Sequence, residues 1–226
     1  MGEVAGSAQI RITGPQDFAE IFGASRETVL RLETFAEALE RWQKAVQLVA
    51  PSTLDSVWQR HFADSAQILA LAPQHVQTWL DLGSGAGFPG LVVAILAAQD
   101  STRRSETRFC LIESDTRKAA FLREVSRLTG VAVEILGTRI EFPATQARVG
   151  AADVISARAL APLSKLLALA EPYWKPETLG IFLKGRSGEA EVAQASATWK
   201  FDAQVVPSRT ESDGRIVCMS NMSRVM

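Results

Sequence analysis

Hydrophobic residues near the start of the chain recur at alternating spacings of three and four, the period of one apolar stripe on an α-helix. The stripe consists of Leu32, Phe35, Leu39, Trp42, Val46 and Val49. Ser25 is a suitable N-cap for this helix, and Pro51 ends it. A second helix, which Ser52 or Thr53 can cap, is predicted to run to about Leu71. An apolar stripe needs a surface to pack on, so these helices should cover a larger domain.

From residue 78 onward, apolar segments typical of strands alternate with helical ones. Strands are predicted at 78–83, 108–114, 131–137, 152–158, 179–185, 201–207 and 215–221. Helices are predicted at 89–98, 115–129, 160–171 and 188–199. This alternation implies right-handed crossovers and a mostly parallel sheet that is covered on both faces.

The last two strands have no helix between them, and Asp213-Gly214 indicates a turn that would make them an antiparallel hairpin. Seven strands ending in a hairpin are characteristic of S-adenosylmethionine-dependent methyltransferases, whereas dinucleotide dehydrogenases normally keep a parallel sixth strand. We therefore predict an α/β protein with the Rossmann-like class I methyltransferase fold. Residues 1–14 are expected to be disordered, 15–75 to form an N-terminal helical extension, and 76–226 to form the S-adenosylmethionine-binding domain.

The composition is that of a soluble globular protein, with 47% hydrophobic and 22% charged residues among 226. Lys and Arg total 24 against 25 for Asp and Glu, so any contact with RNA must rest on a local basic patch. Cys110 and Cys218 lie in apolar runs without metal-ligand spacing, which favours two buried structural residues. The N-terminus lacks a signal sequence, and the longest apolar run, 91–98, is too short to span a membrane. A cytoplasmic location is expected.

The stretch DLGSGAGFPG (81–90) follows a predicted strand and opens a predicted helix. Gly83, Gly85 and Gly87 allow a sharp turn and a close approach of backbone to a ligand. The same stretch contains G-x-G-x-x-G, which also fits a dinucleotide, and a purely structural turn is the third reading. Asp81 directly before the loop favours S-adenosylmethionine, while Glu113 at the end of the second strand can accept hydrogen bonds from either ribose.

The fourth strand of such a sheet meets the methyl acceptor, and here it reads ADVISARALAP. It lacks the Asn/Asp-Pro-Pro-aromatic motif of amino-group methylases, and it lacks the Pro-Cys pair needed for covalent attack on a pyrimidine. Arg158 remains, at the sheet edge where ligands of parallel sheets bind. An arginine suits an acceptor that already has a lone pair, such as guanine N7, although a surface ion pair is the alternative.

Six segments together closely resemble the 16S ribosomal RNA guanine-N7 methyltransferases, the glucose-inhibited division protein B family. They are DLGSGAGFPG, RHFADS (60–65), LIESDTRKAAFLREV (111–125), TRIEF (138–142), ISARAL (155–160) and FLKG (182–185). The resemblance covers about residues 25 to 220. It implies methylation of guanine N7 in 16S ribosomal RNA of the small subunit by direct in-line transfer, leaving S-adenosylhomocysteine.

The resemblance also assigns roles to residues of this chain. Cofactor binding is expected from Asp81, Gly83, Gly85, Gly87, Phe88, Glu113, Ile140, Glu141 and Arg158. Catalytic residues are expected to be Arg158, Lys184, Arg60 and Asp64, next to His61, Ser65 and Gly185 of the same motifs. On spacing alone, Arg60 and Asp64 are a surface pair at i and i+4. Arg139, Lys165 and Arg186 would complete a basic patch, or they are scattered solvated charges.

Several alternatives stay open at this point. The family's stretch resembling Asn-Leu-Thr reads Gln47-Leu48-Val49 here, which leaves the polar role of that segment without support. The chain can instead methylate another RNA, a protein or a small molecule, bind NAD as a redox protein, or sense the cofactor without catalysis. We expect a monomer that acts on 16S ribosomal RNA or the small ribosomal subunit, without metal or membrane.

Overall fold

A seven-stranded sheet forms the centre of the structure, a computed structural model that describes residues 9–99 and 107–225. Its strands are β1 (Thr78–Leu82), β2 (Arg108–Ile112), β3 (Glu134–Leu136), β4 (Val154–Arg158), β5 (Leu179–Lys184), β6 (Trp199–Pro207) and β7 (Arg215–Arg224). The strand order is β3-β2-β1-β4-β5-β7-β6, and only β7 runs antiparallel to its neighbours β5 and β6. The predicted fold class, including the closing antiparallel hairpin, is confirmed.

Four of the five helices that cover the sheet in the described residues overlap the predicted ranges. The five are α4 (Gly90–Ala97), α5 (Thr116–Thr129), α6 (Pro143–Val149), α7 (Leu163–Ala170), followed by a 3-10 turn (Glu171–Tyr173), and α8 (Gly188–Ala195). The sequence pattern did not predict α6, because its seven residues bury only Thr145 and Val149 and therefore show no helical stripe. The shortest strand, β3, pairs only with β2 and lies at one edge of the sheet.

The N-terminal helices are α1 (Pro15–Phe22), which the apolar pattern did not predict, and α2 (Arg26–Gln43). Ser25 caps α2 as predicted, because its hydroxyl accepts a hydrogen bond of 3.2 Å from the Thr28 amide. The predicted continuation of α2 to Val49 is wrong. Gln43 is the reason, since its side chain hydrogen-bonds the amides of Leu48 and Val49 and the Val49 carbonyl, and so folds the following loop back.

The second helical segment is irregular, where one regular helix was predicted. It consists of a 3-10 helix (Pro51–Ser56), a π-helix (Trp58–Ala63), one turn of α-helix, α3 (Asp64–Ala66), and a second 3-10 helix (Gln67–Leu71). Neither Ser52 nor Thr53 caps it: the Thr53 hydroxyl donates to the Ala50 carbonyl at 2.7 Å. A π-helix turns the side chains differently from an α-helix, and such turns are frequent at functional sites.

Of residues 1–14, for which disorder was predicted, the structure describes 9–14, and residues 1–8 lie outside the described residues. Ile12 is buried and donates its amide to the Gln59 side chain at 2.6 Å, and the Ile10 amide donates to the Arg209 carbonyl at 2.8 Å. The N-terminal segment therefore bridges the π-helix and the β6–β7 loop.

The helical extension and the sheet domain share one hydrophobic core. The Phe35 ring of α2 stacks on Phe88 at 5.2 Å between centroids and meets Phe62 edge-on at 5.3 Å. The Trp42 ring contacts Phe121 of α5 in the same way at 5.7 Å. Among residues 9–99 and 107–225, no helix combines the length and apolar character needed to cross a membrane.

Candidate functional site

A cavity of about 520 Å³ opens at the carboxyl ends of β1, β2 and β4. The sheet order reverses between β1 and β4, and ligands of open α/β sheets bind at this switch point. The residues of this cavity, here called the loop cavity, include Gly83, Ser84, Gly85, Phe88, Glu113, Thr138, Arg139, Ile140, Glu141, Arg158, Leu160 and Lys165. Its volume suits a small organic ligand.

The glycine loop forms one wall of the loop cavity, and two of its glycines have conformations or neighbours that exclude a side chain. Gly83 has a φ of +65°, and a Cβ there would come within 2.5 Å of the Leu160 side chain. Gly87 has a φ of +91°, and a Cβ there would lie within 3.1 Å of the side chains of Leu91, Leu122 and Phe35. Gly87 therefore serves packing beneath the loop, while Gly83 and Gly85 present backbone to the cavity.

Glu113 is a buried carboxylate at the end of β2, and backbone amides hold both of its oxygens. Oε2 accepts from the Gly85 amide and Oε1 from the Asp115 amide, each at 2.8 Å. A carboxylate has about four acceptor positions, so Glu113 keeps capacity for further hydrogen bonds from a ligand. Fixing the carboxylate in this way also ties the glycine loop of β1 to the end of β2.

Asp81 lies beneath the loop cavity, fully buried, and does not line it. Its Oδ1 accepts from the Ser156 hydroxyl at 2.6 Å, and Trp79 donates to that hydroxyl at 2.9 Å. Its Oδ2 has no hydrogen-bond partner among the described residues. Burial raises the pKa of Asp81 to about 6, against the lowering effect of the Ser156 hydroxyl.

The raised pKa of Asp81 predicts how stability depends on pH. A carboxyl whose pKa is raised on folding favours the folded state at low pH, and this contribution disappears as pH rises through about 6. Relative to Asp81→Asn, the wild-type free energy of unfolding should fall by roughly 2 to 3 kcal/mol between pH 4 and 7. Urea unfolding across this range measures it. The exposed Asp55 gives a control, Asp55→Asn, which should show no such difference, and an equally flat difference for Asp81→Asn would contradict the prediction.

Arg158 ends β4 and is held by groups of the irregular helical segment. One terminal nitrogen donates to the Arg60 carbonyl at 3.1 Å and to Asp64 at 3.2 Å, and the other donates to His61 at 2.8 Å. The guanidinium carbon also lies 5.0 Å from the centroid of the Phe88 ring. Burial lowers the pKa of Arg158, and the Asp64 carboxylate opposes that shift. Arg158 is therefore a fixed cation with a defined orientation.

The contacts of His61 determine its tautomer. Arg158 can only donate, so the Nδ1 of His61 accepts, and its Nε2 carries the proton. This Nε2 lies 2.8 Å from the Thr53 hydroxyl, which donates its own proton to Ala50 and therefore accepts from His61. Burial and the neighbouring Arg158 lower the pKa of His61 to about 3. At neutral pH this imidazole is uncharged, and both ring nitrogens are occupied.

Asp64 is supported from the opposite side by the β6–β7 loop. Its Oδ1 accepts from Thr210 and from Gln67, each at 2.9 Å, while its Oδ2 faces Arg158. Gln67 in turn accepts from the Arg209 amide at 2.9 Å. The surface pair between Arg60 and Asp64, weighed on spacing, does not form: Asp64 pairs with Arg158, and Arg60 with Glu211.

Lys184, at the end of β5, holds the segment that follows β4. Its ammonium donates to the Ala161 carbonyl at 2.7 Å and to Glu191 at 2.8 Å. The same Glu191 oxygen accepts from the Leu163 amide at 2.8 Å. Within that segment Ala159 has a φ of +54°, a strained conformation for a residue with a side chain. Lys184 thus positions the turn after Arg158.

A second cavity, also of about 520 Å³, adjoins the loop cavity across Arg158 and the turn 159–161. We call it the arginine cavity. Its lining includes Arg60, His61, Asp64, Arg158, Lys184, Ser208, Glu211 and Arg215. The structure therefore brings the four residues expected to be catalytic, Arg158, Lys184, Arg60 and Asp64, to one cavity.

The residues of the predicted basic patch do not all lie at one site: some line the loop cavity, and Arg186 lies outside both cavities. Arg139 and Lys165 are exposed at the loop cavity, and Lys118 lies on its wall as well. Arg186 is exposed outside both cavities and pairs with Asp213 at 2.5 Å. No cluster of three or more His, Cys, Asp and Glu side chains in the described part of the chain is arranged to hold a metal ion.

Several residues of the two cavities had no signal in the sequence. Thr53 contacts His61 from the preceding 3-10 helix, while Thr210 and Glu211 reach Asp64 and Arg60 from the β6–β7 loop, far along the chain. Leu48 and Val49, where the family's polar stretch was missing, are buried and line the loop cavity as an apolar wall. Only the tertiary structure shows that these residues lie at the site, because isolated Thr, Glu and Val residues are common in surface and core positions alike.

Comparison with known proteins gives a consistent result. The family model for rRNA small subunit methyltransferase G, GidB, matches residues 29–217. The ribosomal RNA small subunit methyltransferase G of Parvibaculum lavamentivorans is 42% identical over 214 residues, covering 95% of this chain and 91% of that protein. The protein of the same name from Methylobacterium radiotolerans is 49% identical over 195 residues, covering 86% and 89%.

Solved structures are similar in fold. An O-methyltransferase from Bacillus cereus in complex with SAH has a TM-score of 0.57 at 14% identity, covering 92% of this chain and 96% of that one. A SAM-dependent methyltransferase from Aquifex aeolicus has a TM-score of 0.54 at 16% identity, covering 78% and 95%. At these identities the similarity supports the fold alone.

Proposed function

This chain belongs to the GidB family, rRNA small subunit methyltransferase G, and we propose that it methylates guanine N7 in 16S ribosomal RNA with S-adenosylmethionine as donor. The observation that carries the proposal is that Arg158 forms the shared wall of two cavities. One cavity is built from the glycine loop and suits the donor. The other is lined by four cations and three carboxylates that pair with them, and its arginines suit a nucleotide acceptor.

The residues of the loop cavity fit S-adenosylmethionine. Gly83 has a φ of +65° and lines the cavity, and a Cβ there would press on Leu160, another cavity residue, so glycine suits this position beside a ligand. Glu113 offers acceptor positions for ribose hydroxyls, and Ile140 offers an apolar surface next to Glu141 for the adenine. When bound, the cofactor supplies an electrophilic methyl group on a sulfonium. Asp81 lies beneath the loop, so it would act on the sulfonium only through electrostatic attraction, without direct contact.

The arginine cavity fits an acceptor that needs no deprotonation. His61 is neutral and both of its nitrogens are engaged, so it is not free to act as a general base, and Asp64 accepts three hydrogen bonds and holds the Arg158 cation in place. Guanine N7 carries a lone pair and needs only alignment. Arg158 uses three of its five N–H donors on the described residues, which leaves two for the acceptor.

The proposed reaction is a direct in-line transfer, in which the protein orients the guanine and excludes competing water. Arg158 aligns the guanine edge or a neighbouring phosphate, while Lys184 and Asp64 fix the turn and the guanidinium. Because both cavities lie at the sheet edge, the guanine must be unstacked or in a loop of the RNA.

A direct experiment tests the assignment. Purified protein with isotopically labelled S-adenosylmethionine should methylate 16S ribosomal RNA, or small subunits, from a strain lacking the family enzyme, and nucleoside mass spectrometry should identify 7-methylguanosine. Label on protein, on a small molecule, or on another RNA alone would refute the 16S assignment. Binding of NAD in place of S-adenosylhomocysteine would support the redox alternative.

We also propose the oligomeric state, the location and the domain organisation that the sequence led us to expect. The chain acts as a monomer in the cytoplasm, and residues 15–75 form an extension of the domain at 76–226. The shared core of Phe35, Phe62 and Phe88 supports treating the extension as a wall of the active site. Its removal should therefore abolish folding of the site, not only substrate binding.

A further inference from the structure

We propose that Glu211 determines RNA selectivity by occupying Arg60 until an RNA phosphate replaces it, an inference that rests on the proposed function. Arg60 lines the arginine cavity, and its guanidinium forms an ion pair with Glu211 at the cavity's edge. The carboxylate thus stands where a substrate phosphate would contact this cation. RNA that cannot supply a phosphate at this position gains nothing from Arg60.

The ion pair is well placed for exchange. The side chains of Arg60 and Glu211 are 41% and 39% exposed, so water and solutes reach both partners. Half-exposed ion pairs contribute little to stability, because solvent screens the charges and ordering two long side chains costs entropy. A phosphate oxygen forms a charge-assisted hydrogen bond with a guanidinium of comparable or greater strength. Replacing the carboxylate by phosphate therefore has little cost.

Side-chain hydrogen bonds anchor Ser208 and Thr210 of the β6–β7 loop, but they do not hold the carboxylate of Glu211. Gln67 binds Ser208 and Thr210, and Thr210 also donates to Asp64. The hydrogen bonds of Glu211 to the loop use its backbone, through the Ser208 hydroxyl and the Gly214 amide. Its carboxylate can leave Arg60 by side-chain rotation, without disturbing the support that the loop gives to Arg158.

A second acid of the β6–β7 loop also forms an ion pair with an arginine. Asp213 pairs with Arg186, which is 84% exposed. The loop acids therefore neutralise two arginines, Arg60 at the edge of the arginine cavity and Arg186 outside it. This agrees with a net charge of −1, because the chain holds cations at the site without the bulk positive field that attracts any polyanion.

Glu211→Gln tests the inference, with Glu171→Gln as the matched control. Glu171 pairs with Arg224 and lies in neither the loop cavity nor the arginine cavity, so its variant changes the net charge equally. The probes are 16S ribosomal RNA and a single-stranded oligoribonucleotide that lacks guanine. Binding is measured from about 50 to 200 mM KCl, and methylation is measured on 16S ribosomal RNA and a non-cognate RNA.

We expect Glu211→Gln to bind the oligoribonucleotide about fivefold more tightly at low salt, corresponding to about 1 kcal/mol. The slope of log affinity against log salt should steepen by about 0.7, for one more neutralised phosphate. The preference for 16S ribosomal RNA over non-cognate RNA should fall. Arg60→Met combined with Glu211→Gln should remove the gain, and Glu171→Gln should not show it.

The possible results separate this inference from the proposed function. If the wild-type protein methylates 16S ribosomal RNA but Glu211→Gln behaves like Glu171→Gln, or binds RNA more weakly, Glu211 is only a surface partner and the inference fails. If the wild-type protein methylates no RNA, the proposed function fails and this inference fails with it. In urea unfolding, Glu211→Gln should have a midpoint close to that of the wild type, which excludes misfolding as a cause.

Discussion

Replacing Arg158 with methionine is expected to lower kcat/KM for RNA methylation by about 10²- to 10³-fold, the effect of removing a preorganised donor at a reacting group. Methionine keeps an unbranched apolar stem against Phe88 but cannot donate to the acceptor. Affinity for S-adenosylhomocysteine should fall much less, because Glu113 and the glycine loop are unaffected. Steady-state kinetics with 16S ribosomal RNA and calorimetric titration measure the two effects.

Arg158→Met also leaves the Asp64 carboxylate without its cation in a largely buried position. Removing one partner of such a pair costs about 3 to 5 kcal/mol at full burial, and somewhat less at the 18% and 13% exposure of these side chains. Asp64→Asn in the Arg158→Met background should therefore restore part of the stability without restoring activity. A double variant as unstable as Arg158→Met would show that the ion pair is not what Arg158 contributes to folding.

Replacing Gly90 with alanine is expected to destabilise the protein by about 3 kcal/mol. A Cβ at Gly90 would lie 2.6 Å from the Asp81 Cβ and 2.7 Å from its Oδ2. Both residues are buried, and the Asp81 Cβ is tied to the backbone of the central strand, so the helix α4 would have to move away from β1. The glycine loop between them would then change shape.

Gly85→Ala is the matched comparison for Gly90→Ala. Gly85 has a φ of +56°, but its added Cβ would meet nothing closer than 3.9 Å. Gly85→Ala should therefore lower the free energy of unfolding by only about 1 kcal/mol, because of backbone strain alone. Urea midpoints at constant m-value measure both. Equal costs for the two variants would mean that the contact between β1 and α4 is not as tight as the structure indicates.

The sequence was informative wherever local periodicity or a short motif carries the structure. Each predicted strand corresponds to an observed one, and β1, β2, β4 and β5 were readable because buried parallel strands are short, mostly apolar runs. Ser25 capped its helix, since N-capping depends on neighbouring residues only. Local signals failed for the end of α2, where the Gln43 side chain outweighs a helical stripe that continues to Val49.

For the candidate site, the sequence could assign residue types to the sheet edge but not their partners. Asp81 was expected at the cofactor, yet it lies beneath the cavity, because β1 is a central strand and its side chain points into the layer under α4. On spacing alone, Arg60 and Asp64 were candidates for a surface pair with each other. The π-helix and the long-range contacts to Glu211 and Arg158 separate them.

By itself, the sequence determined the fold class, the glycine loop after β1, the acidic residue after β2 and the arginine that ends β4. These features follow from periodicity, turn chemistry and short motifs, which act between residues close in the chain. Only the tertiary structure decided that Arg158 is shared by two cavities, that His61 is neutral, and that Glu211 occupies Arg60. Each depends on segments far apart in sequence, which only the packed sheet and its helical extension bring within hydrogen-bond distance.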